Sequence, residues 1–352
     1  MGSSTTDYAT KLPSVSITFH ELLIILGIVA CVVNCLIAVY LICGHLYHWV
    51  KPNEQRQILR ITLWIPITSL CSLFSIYFYH AEGHIYPVTT SYEGFAVVAL
   101  FLLYMEYICP IPTERASYFN TLERRNRSGK KPKGDKGSLQ WYRATWIRVF
   151  QILFFLIAST VTSWVLIALT CPLDSIRRTV KMVISIVQGL STFVAVLGIV
   201  MFERRFQHQL SQHHGLLKLW SFKAIVIIKI IQNILFDVHS KTGVFKPTPP
   251  YHISWNDFTI GLPEFILIWE MTVVVMIFLQ GYDSKAYKEM VYCGTVPVTP
   301  TWKAFLTVLD PRDVFSGVWY VFTCFTSSTF LEGPVSYQSL PVEYNTDEEN
   351  KS

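Results

Sequence analysis

The sequence predicts an all-α membrane protein: a seven-transmembrane-helix bundle with its N-terminus outside and its C-terminus cytosolic. Three observations carry that prediction. The 352 residues are 51% hydrophobic and only 15% charged, whereas a soluble domain carries nearer a quarter charged residues. Seven apolar runs each approach the roughly 20 residues that cross a hydrocarbon core. Lysine and arginine gather on alternate connections between those runs, which is the pattern that sets membrane topology.

The runs are residues 19–42, 58–79, 92–109, 146–169, 182–202, 220–238 and 259–280. No water is available in lipid to satisfy a bare backbone, so each run is expected to be a helix. Pro87, Pro110, Pro112, Pro172, Pro247, Pro249 and Pro250 are expected in loops. Pro66, inside the second run, removes a backbone donor and is expected to kink it. Residues 1–280 therefore form the transmembrane domain and 281–352 a cytosolic tail. Residues 1–18 are polar and lack a cleavable leader pattern, so the first run is expected to remain as a span.

Charge fixes the orientation. One side collects Lys51, Arg56, Arg60, a dense run from Arg115 to Arg148, then Arg204, Arg205, Lys218 and Lys223. The other side has only Lys11, Arg177, Arg178, Lys181, Lys241 and Lys246. The rich side is assigned to the cytosol. The net charge of +5 thus reads as topological, and nucleic acid is not expected as a partner. The basic cytosolic loop at 113–145 contains the stretch Glu123–Gly137, expected to be flexible and to lie near anionic lipid. Its sequon at Asn126 is discounted on the same ground. In the tail, Phe315, Val318, Trp319, Phe322 and Phe325 share one helical face, which predicts an amphipathic helix at about 312–326 lying on the membrane or the bundle. The acidic end beyond Gly333 is expected to be disordered, and Tyr337 begins a short sorting-like pattern.

No phosphate-cradling loop, nucleophile elbow or paired-histidine zinc motif is present. His80 and His84 flank Glu82, but no three imidazoles converge at one depth, so neither a metal nor a cofactor is expected. The eight cysteines mostly fall within or beside apolar runs and do not read as a disulfide framework. Intramembrane polar residues say more, because they are costly in lipid and usually mark function. Lys229 in the sixth run and Glu270 in the seventh both fall near mid-membrane, where they can form a structural pair or serve a substrate or proton. Glu93 and Glu106 bracket the third run. Thr68, Ser72, Ser75 and Tyr79 form a polar face on the second run, and Lys181, Ser185, Gln188 and Thr192 form another on the fifth. Such faces serve helix packing or a water-filled cavity. The substrate-pathway candidates are Glu270, Lys229, Gln232, Glu93, Gln188, Ser185, Ser72 and Thr68.

Specific strings add a resemblance. Arg56-Gln57-Ile58-Leu59-Arg60-Ile61 with Pro66-Ile67 and Ser69, then Tyr92-Glu93-Gly94-Phe95, then Leu139-Gln140, occur in order along the chain. Lys218, Lys223 and Gln232, then Glu270-Met271, then Pro311-Arg312-Asp313-Val314 follow. In this order they resemble the organic solute transporter α-subunit family, which includes the related transmembrane-184 proteins and plant and fungal relatives. The chain departs from that pattern at Tyr107-Ile108-Cys109-Pro110, Val187-Gln188 and Trp141-Tyr142-Arg143-Ala144, and Lys229 has no counterpart in it. The resemblance implies seven spans. It also implies, from one animal branch, export of steroids and bile acids by facilitated movement with a separate single-span β-subunit. Other branches are linked to trafficking or vacuolar function.

The expected function is accordingly transport of amphipathic, sterol- or lipid-like organic solutes without covalent chemistry. The alternative is a membrane receptor or trafficking scaffold acting through cytosolic loops and tail. Expected partners are the lipid bilayer, an amphipathic small-molecule ligand, and a single-span β-subunit or a second copy. The host membrane, plasma membrane or endomembrane, is left open.

Overall fold

The structure is a computed structural model that describes residues 17–122, 139–168, 174–211, 228, 231–232, 235–236, 253–293 and 301–326. Every described element is a helix. The long ones are α1 (Phe19–Tyr47), α2 (Pro52–Tyr77), α3 (Glu82–Ile108), α5 (Leu139–Ala168), α6 (Asp174–Arg205) and α8 (Leu262–Gly281). Shorter helices are α4 (Arg115–Thr121), α7 (Gln207–Ser211), α9 (Lys285–Tyr292), α10 (Thr301–Leu309) and α11 (Arg312–Thr326). Among the described residues six helices are long and apolar enough to cross a membrane. The sixth run is described only at Ile228, Ile231, Gln232, Leu235 and Phe236, all helical. Lys218, Lys223, Lys229, Cys171, Tyr337 and the loop Glu123–Gly137 lie outside the described residues.

Local chemistry sets the helix ends. Thr18 caps α1 with a reciprocal box: its hydroxyl accepts from the Glu21 amide at 3.2 Å, and the Thr18 amide donates to the Glu21 carboxylate at 2.8 Å. Pro52 opens α2 at a position where its missing N–H costs nothing. The tight turn between α1 and α2 is closed by the side chain of Gln55. Its Oε1 accepts from the amides of Val50 and Lys51, and its Nε2 donates to the carbonyls of His45 and His48. Gln55 is fully buried, and these four bonds offset what burying an amide would otherwise cost.

α3 is the central span. From Ala96 to Met105 every side chain is buried, as expected of a helix that is apolar all round. α2 and α5 pack on it, α6 packs on α5, and α1 and α8 pack on α2. The outer helices instead expose Val29, Leu36 and Val39 on α1, Ile157 and Val161 on α5, Leu190 and Phe193 on α6, and Val273 on α8. These apolar exteriors are what a lipid-facing surface requires, and the chain is an integral multi-pass membrane protein. Gly94 of α3 faces Leu156 of α5 so closely that a Cβ would collide with it, so glycine sets the spacing of that helix pair.

Three sequence expectations are corrected. The basic loop expected at 113–145 is helical at its described ends, as α4 (Arg115–Thr121) and as the first turns of α5, which begins at Leu139 because its apolar and aromatic residues already pack there. Pro87, expected in a loop, lies inside α3, which starts at Glu82 rather than near Tyr92. A short 3₁₀ turn, Tyr79–Ala81, leads straight into the helix. Proline there removes one backbone donor from the second turn of the helix, and its own carbonyl accepts from the Thr160 hydroxyl at 3.2 Å. Arg56 and Arg60, counted among topological loop charges, instead sit buried inside α2, which starts at Pro52 rather than Ile58. Their charge is held by partners in the tail, described next.

Candidate functional site

Two arrangements stand out, and both involve α11. The first is a clamp at the end of the bundle that gathers Lys51, Arg204 and Arg205, here called the basic end. Arg56 and Arg60 are one turn apart on α2 and so share a face. Arg60 Nη1 donates to both carboxylate oxygens of Asp313, at 3.0 and 2.8 Å, and Arg56 Nη2 lies 3.3 Å from the same carboxylate. Gln57 adds a bond to Asp313 at 2.8 Å. Arg60 also donates to the carbonyls of Val308 and Asp310, which join α10 to α11. From the other side, Tyr92 of α3 donates to the Arg60 carbonyl at 3.0 Å, and the Phe95 ring lies under the guanidinium at 5.5 Å.

Only 2% of the Arg60 side chain and 10% of Asp313 is exposed, so the clamp is a buried, hydrogen-bonded Arg–Asp–Arg set. Burial raises the Asp313 pKa, but the two guanidiniums and the bonds from Arg60 and Gln57 outweigh it, and the carboxyl ends below its ordinary value. Asp310 is likewise lowered, chiefly by the bond from Arg312.

The second arrangement lies along α5. Near its middle, Phe150, Gln151, Phe154 and Phe155 of α5 face Phe315, Val318, Trp319 and Phe322 of α11 across an apolar groove of about 820 Å³. α11 reaches this position by packing Val314, Tyr320 and Val321 into the core. At Gly317 the helix touches the Phe150 ring, so that any Cβ would overlap it, and Trp146 Nε1 donates to the Gly317 carbonyl at 3.4 Å. The expected aromatic face of α11 thus points away from the core, with Phe315, Trp319 and Phe322 exposed.

At the Ala168 end of α5 is a mixed polar pocket of about 310 Å³ between α3, α5 and α6. It is lined by His80, Glu82, His84, Ser163, Lys181, Ser185 and Gln188 among others. From Phe155 to Ser163 is roughly 12 Å along the helix. One helix therefore carries an apolar groove at mid-length and a polar pocket toward its Ala168 end. Both volumes fall in the range of about 300–1,000 Å³ typical of small-molecule sites. Beside the groove Gln151 and Ser191 exchange bonds across α5 and α6, and between groove and pocket Ser91 and Thr160 meet at 2.7 Å.

The expected site residues separate into groups. Ser185 and Gln188 line the polar pocket. Thr68, Ser72 and Ser75 are buried in α2 and line neither of these two cavities, and the Thr68 and Ser72 hydroxyls lack a hydrogen-bond partner among the described residues. Glu93 is buried on α3, one residue from Tyr92 in the clamp. Gln232 donates to the Pro263 carbonyl at 2.7 Å, tying the sixth run to α8. Glu270 is partly buried on α8; its expected pairing with Lys229 falls outside the described residues. Glu106 pairs with Arg115 at 2.6 Å. Among the described residues no group of three or more metal-ligating side chains gathers.

Sequence reasoning did not single out three features. Asn34, buried in α1, donates to Ser69 at 2.9 Å and to the Ile268 carbonyl at 3.0 Å, joining three spans. At the end opposite the clamp, Tyr79 donates to Asp257 at 2.5 Å and meets His20 at 2.8 Å. The groove is the third. The Arg56/Arg60 spacing, which places two like charges on one helical face, and the Asp310/Asp313 pair at the head of the tail helix were the available signal for the clamp.

A protein-family model described as organic solute transporter Ostalpha matches residues 23–287. A transmembrane protein 184 homologue of Dictyostelium discoideum is 25% identical over 263 residues, covering 70% of this chain and 51% of that protein. The chain spans about half the length of that relative. No solved structure matches it.

Proposed function

This chain belongs to the organic solute transporter α family, and on that premise we propose that it moves amphipathic, sterol- or lipid-like solutes across its membrane without covalent chemistry. The observation that carries the reading is the pairing of cavities on α5. The apolar groove suits the body of an amphipath, and the polar pocket, with Lys181, Ser185, Gln188 and two histidines, suits its head. A solute that keeps its apolar body on the lipid side of α5 avoids the cost of a dry path for its polar end. In this reading seven spans put the N-terminus outside and the basic end, clamp and tail in the cytosol. A single-span β-subunit or a second copy is a partner to be tested.

The test is uptake of radiolabelled sterol conjugates and other amphipaths by proteoliposomes holding the purified chain, alone and with candidate single-span partners. Phe154→Arg places a charge in the groove and is expected to abolish uptake while leaving abundance normal. Glu270→Gln is expected to fold and to lose uptake; unchanged uptake removes Glu270 from the pathway. A second reading, a receptor or trafficking scaffold, draws on the outward aromatic face of α11. It is favoured if no substrate shows protein-dependent flux with any partner.

A further inference from the structure

Among the described residues, an apolar surface outside the spans lies on the strap formed by α10 and α11. α10 packs Ala304 and Val308 against Leu46 and Trp49 at the end of α1 and against Leu59 of α2, with Ile42 and Leu63 beside them. Its other side exposes Trp302, Phe305, Leu306 and Leu309, at the i, i+3, i+4, i+7 spacing of one helical face. Leaving such side chains in water forfeits about 1.5–3 kcal/mol each, and monomeric soluble surfaces rarely carry so contiguous a stripe.

Depth identifies what covers it. Leu59 and Leu63 lie roughly 10 to 17 Å along α2 from Pro52. α2 is about 39 Å long against a hydrocarbon core of about 30 Å, so about 5 Å overhangs each end if it is centred. The contact points of α10 therefore fall about 5–12 Å inside the core boundary. A helix lying at an interface buries its apolar face about 5–10 Å into the headgroup–acyl boundary. The strap also rests on helices that carry lipid-type surface: α10 on α1, which exposes Leu36, Val39 and Tyr40, and α11 on α5, which exposes Phe154. Lys303, whose ammonium lies 5.6 Å from the Trp302 ring, is placed to reach the headgroups. Tryptophan and lysine are the residues that favour that layer.

We propose that the α10–α11 strap is embedded in the leaflet at the basic end, with Trp302, Phe305, Leu306 and Leu309 in contact with acyl chains. The strap is then part of the membrane domain, held by lipid on its outer face and by the Arg56–Arg60–Asp313 clamp at its bend. The proposal holds whether or not the chain transports.

The experiment compares the wild type with Trp302→Phe in nanodiscs of phosphatidylcholine with some phosphatidylserine, prepared with and without lipid brominated high on the acyl chains. The emission difference between the two proteins isolates Trp302, and a Trp319→Phe pair does the same for α11. Both changes are conservative and on the outer face, so the fold is expected to be kept. The expected result is that the Trp302 difference emission loses most of its intensity in brominated discs and is insensitive to aqueous acrylamide. Quenching by acrylamide alone would place the stripe in water and overturn the proposal. Quenching by neither would place it against protein, a second copy or another chain, and would overturn it equally.

Discussion

Asp313→Asn tests whether the clamp holds the strap. The substitution keeps shape and most hydrogen-bonding capacity but leaves two buried guanidiniums facing a neutral amide. It weakens two charge-assisted bonds from Arg60 and the ion pair to Arg56. Removing one partner of a buried ion pair costs about 3–5 kcal/mol. Arg60 retains the Val308 and Asp310 carbonyls and Gln57 Oε1, which argues for the low end, about 3 kcal/mol. At tenfold per 1.4 kcal/mol that shifts the docked-to-undocked ratio of the strap by roughly 150-fold. Hydrogen exchange in nanodiscs reads the change directly: amides of α10 and α11 should lose about two orders of magnitude of protection, while α3 is unaffected. A triple change to Arg56→Met, Arg60→Met and Asp313→Leu should recover much of that protection, since apolar replacement of a whole buried set is often tolerated. Unchanged exchange in Asp313→Asn would refute the clamp as the element that holds the strap.

Three further outcomes are expected. The lowered Asp313 and Asp310 pKa values contribute stability that is fully present above the unfolded value of about 3.9 and lost as pH falls through the lower folded values; strap protection should be equal at neutral and mildly acidic pH and fall only below about pH 4. Gly317→Ala gains about 1 kcal/mol of helix propensity but drives a Cβ into a Phe150 ring stacked on Trp146 at 4.5 Å. Overpacking costs typically 1–3 kcal/mol, so strap protection should drop, and a rise would contradict the packing. In sealed cells an impermeant thiol label on single-cysteine variants should reach the 239–258 connection but not Glu123–Gly137, and labelling of the latter would reverse the orientation.

Hydropathy made the spans legible because lipid leaves the backbone no alternative to helix. The polar face of Ser185 and Gln188 was legible from its spacing, and the tail helix from its aromatic repeat. Long-range pairing was not legible. Asp313 meets Arg60 across 253 residues, and counting arginines as topological markers hides those that go inside. The groove was hidden for a related reason: Phe150, Phe154 and Phe155 satisfy the pattern of a span whether they face lipid or another helix. The second-run hydroxyls show the same limit, since the spacing of Thr68 and Ser72 is equally that of a pathway and of a helix contact, and both are buried.

The central claim is that α5 carries amphipaths, body in the groove and head in the pocket. It is tested most directly by uptake into proteoliposomes of a series sharing one anionic head and bearing progressively larger apolar bodies. Saturable, protein-dependent uptake is expected, with a KM that falls as the body grows. Phe154→Arg should abolish that dependence, and Gln188→Ala should weaken uptake of every member alike. Protein-dependent uptake with a KM indifferent to body size, or left intact by Phe154→Arg, would contradict it.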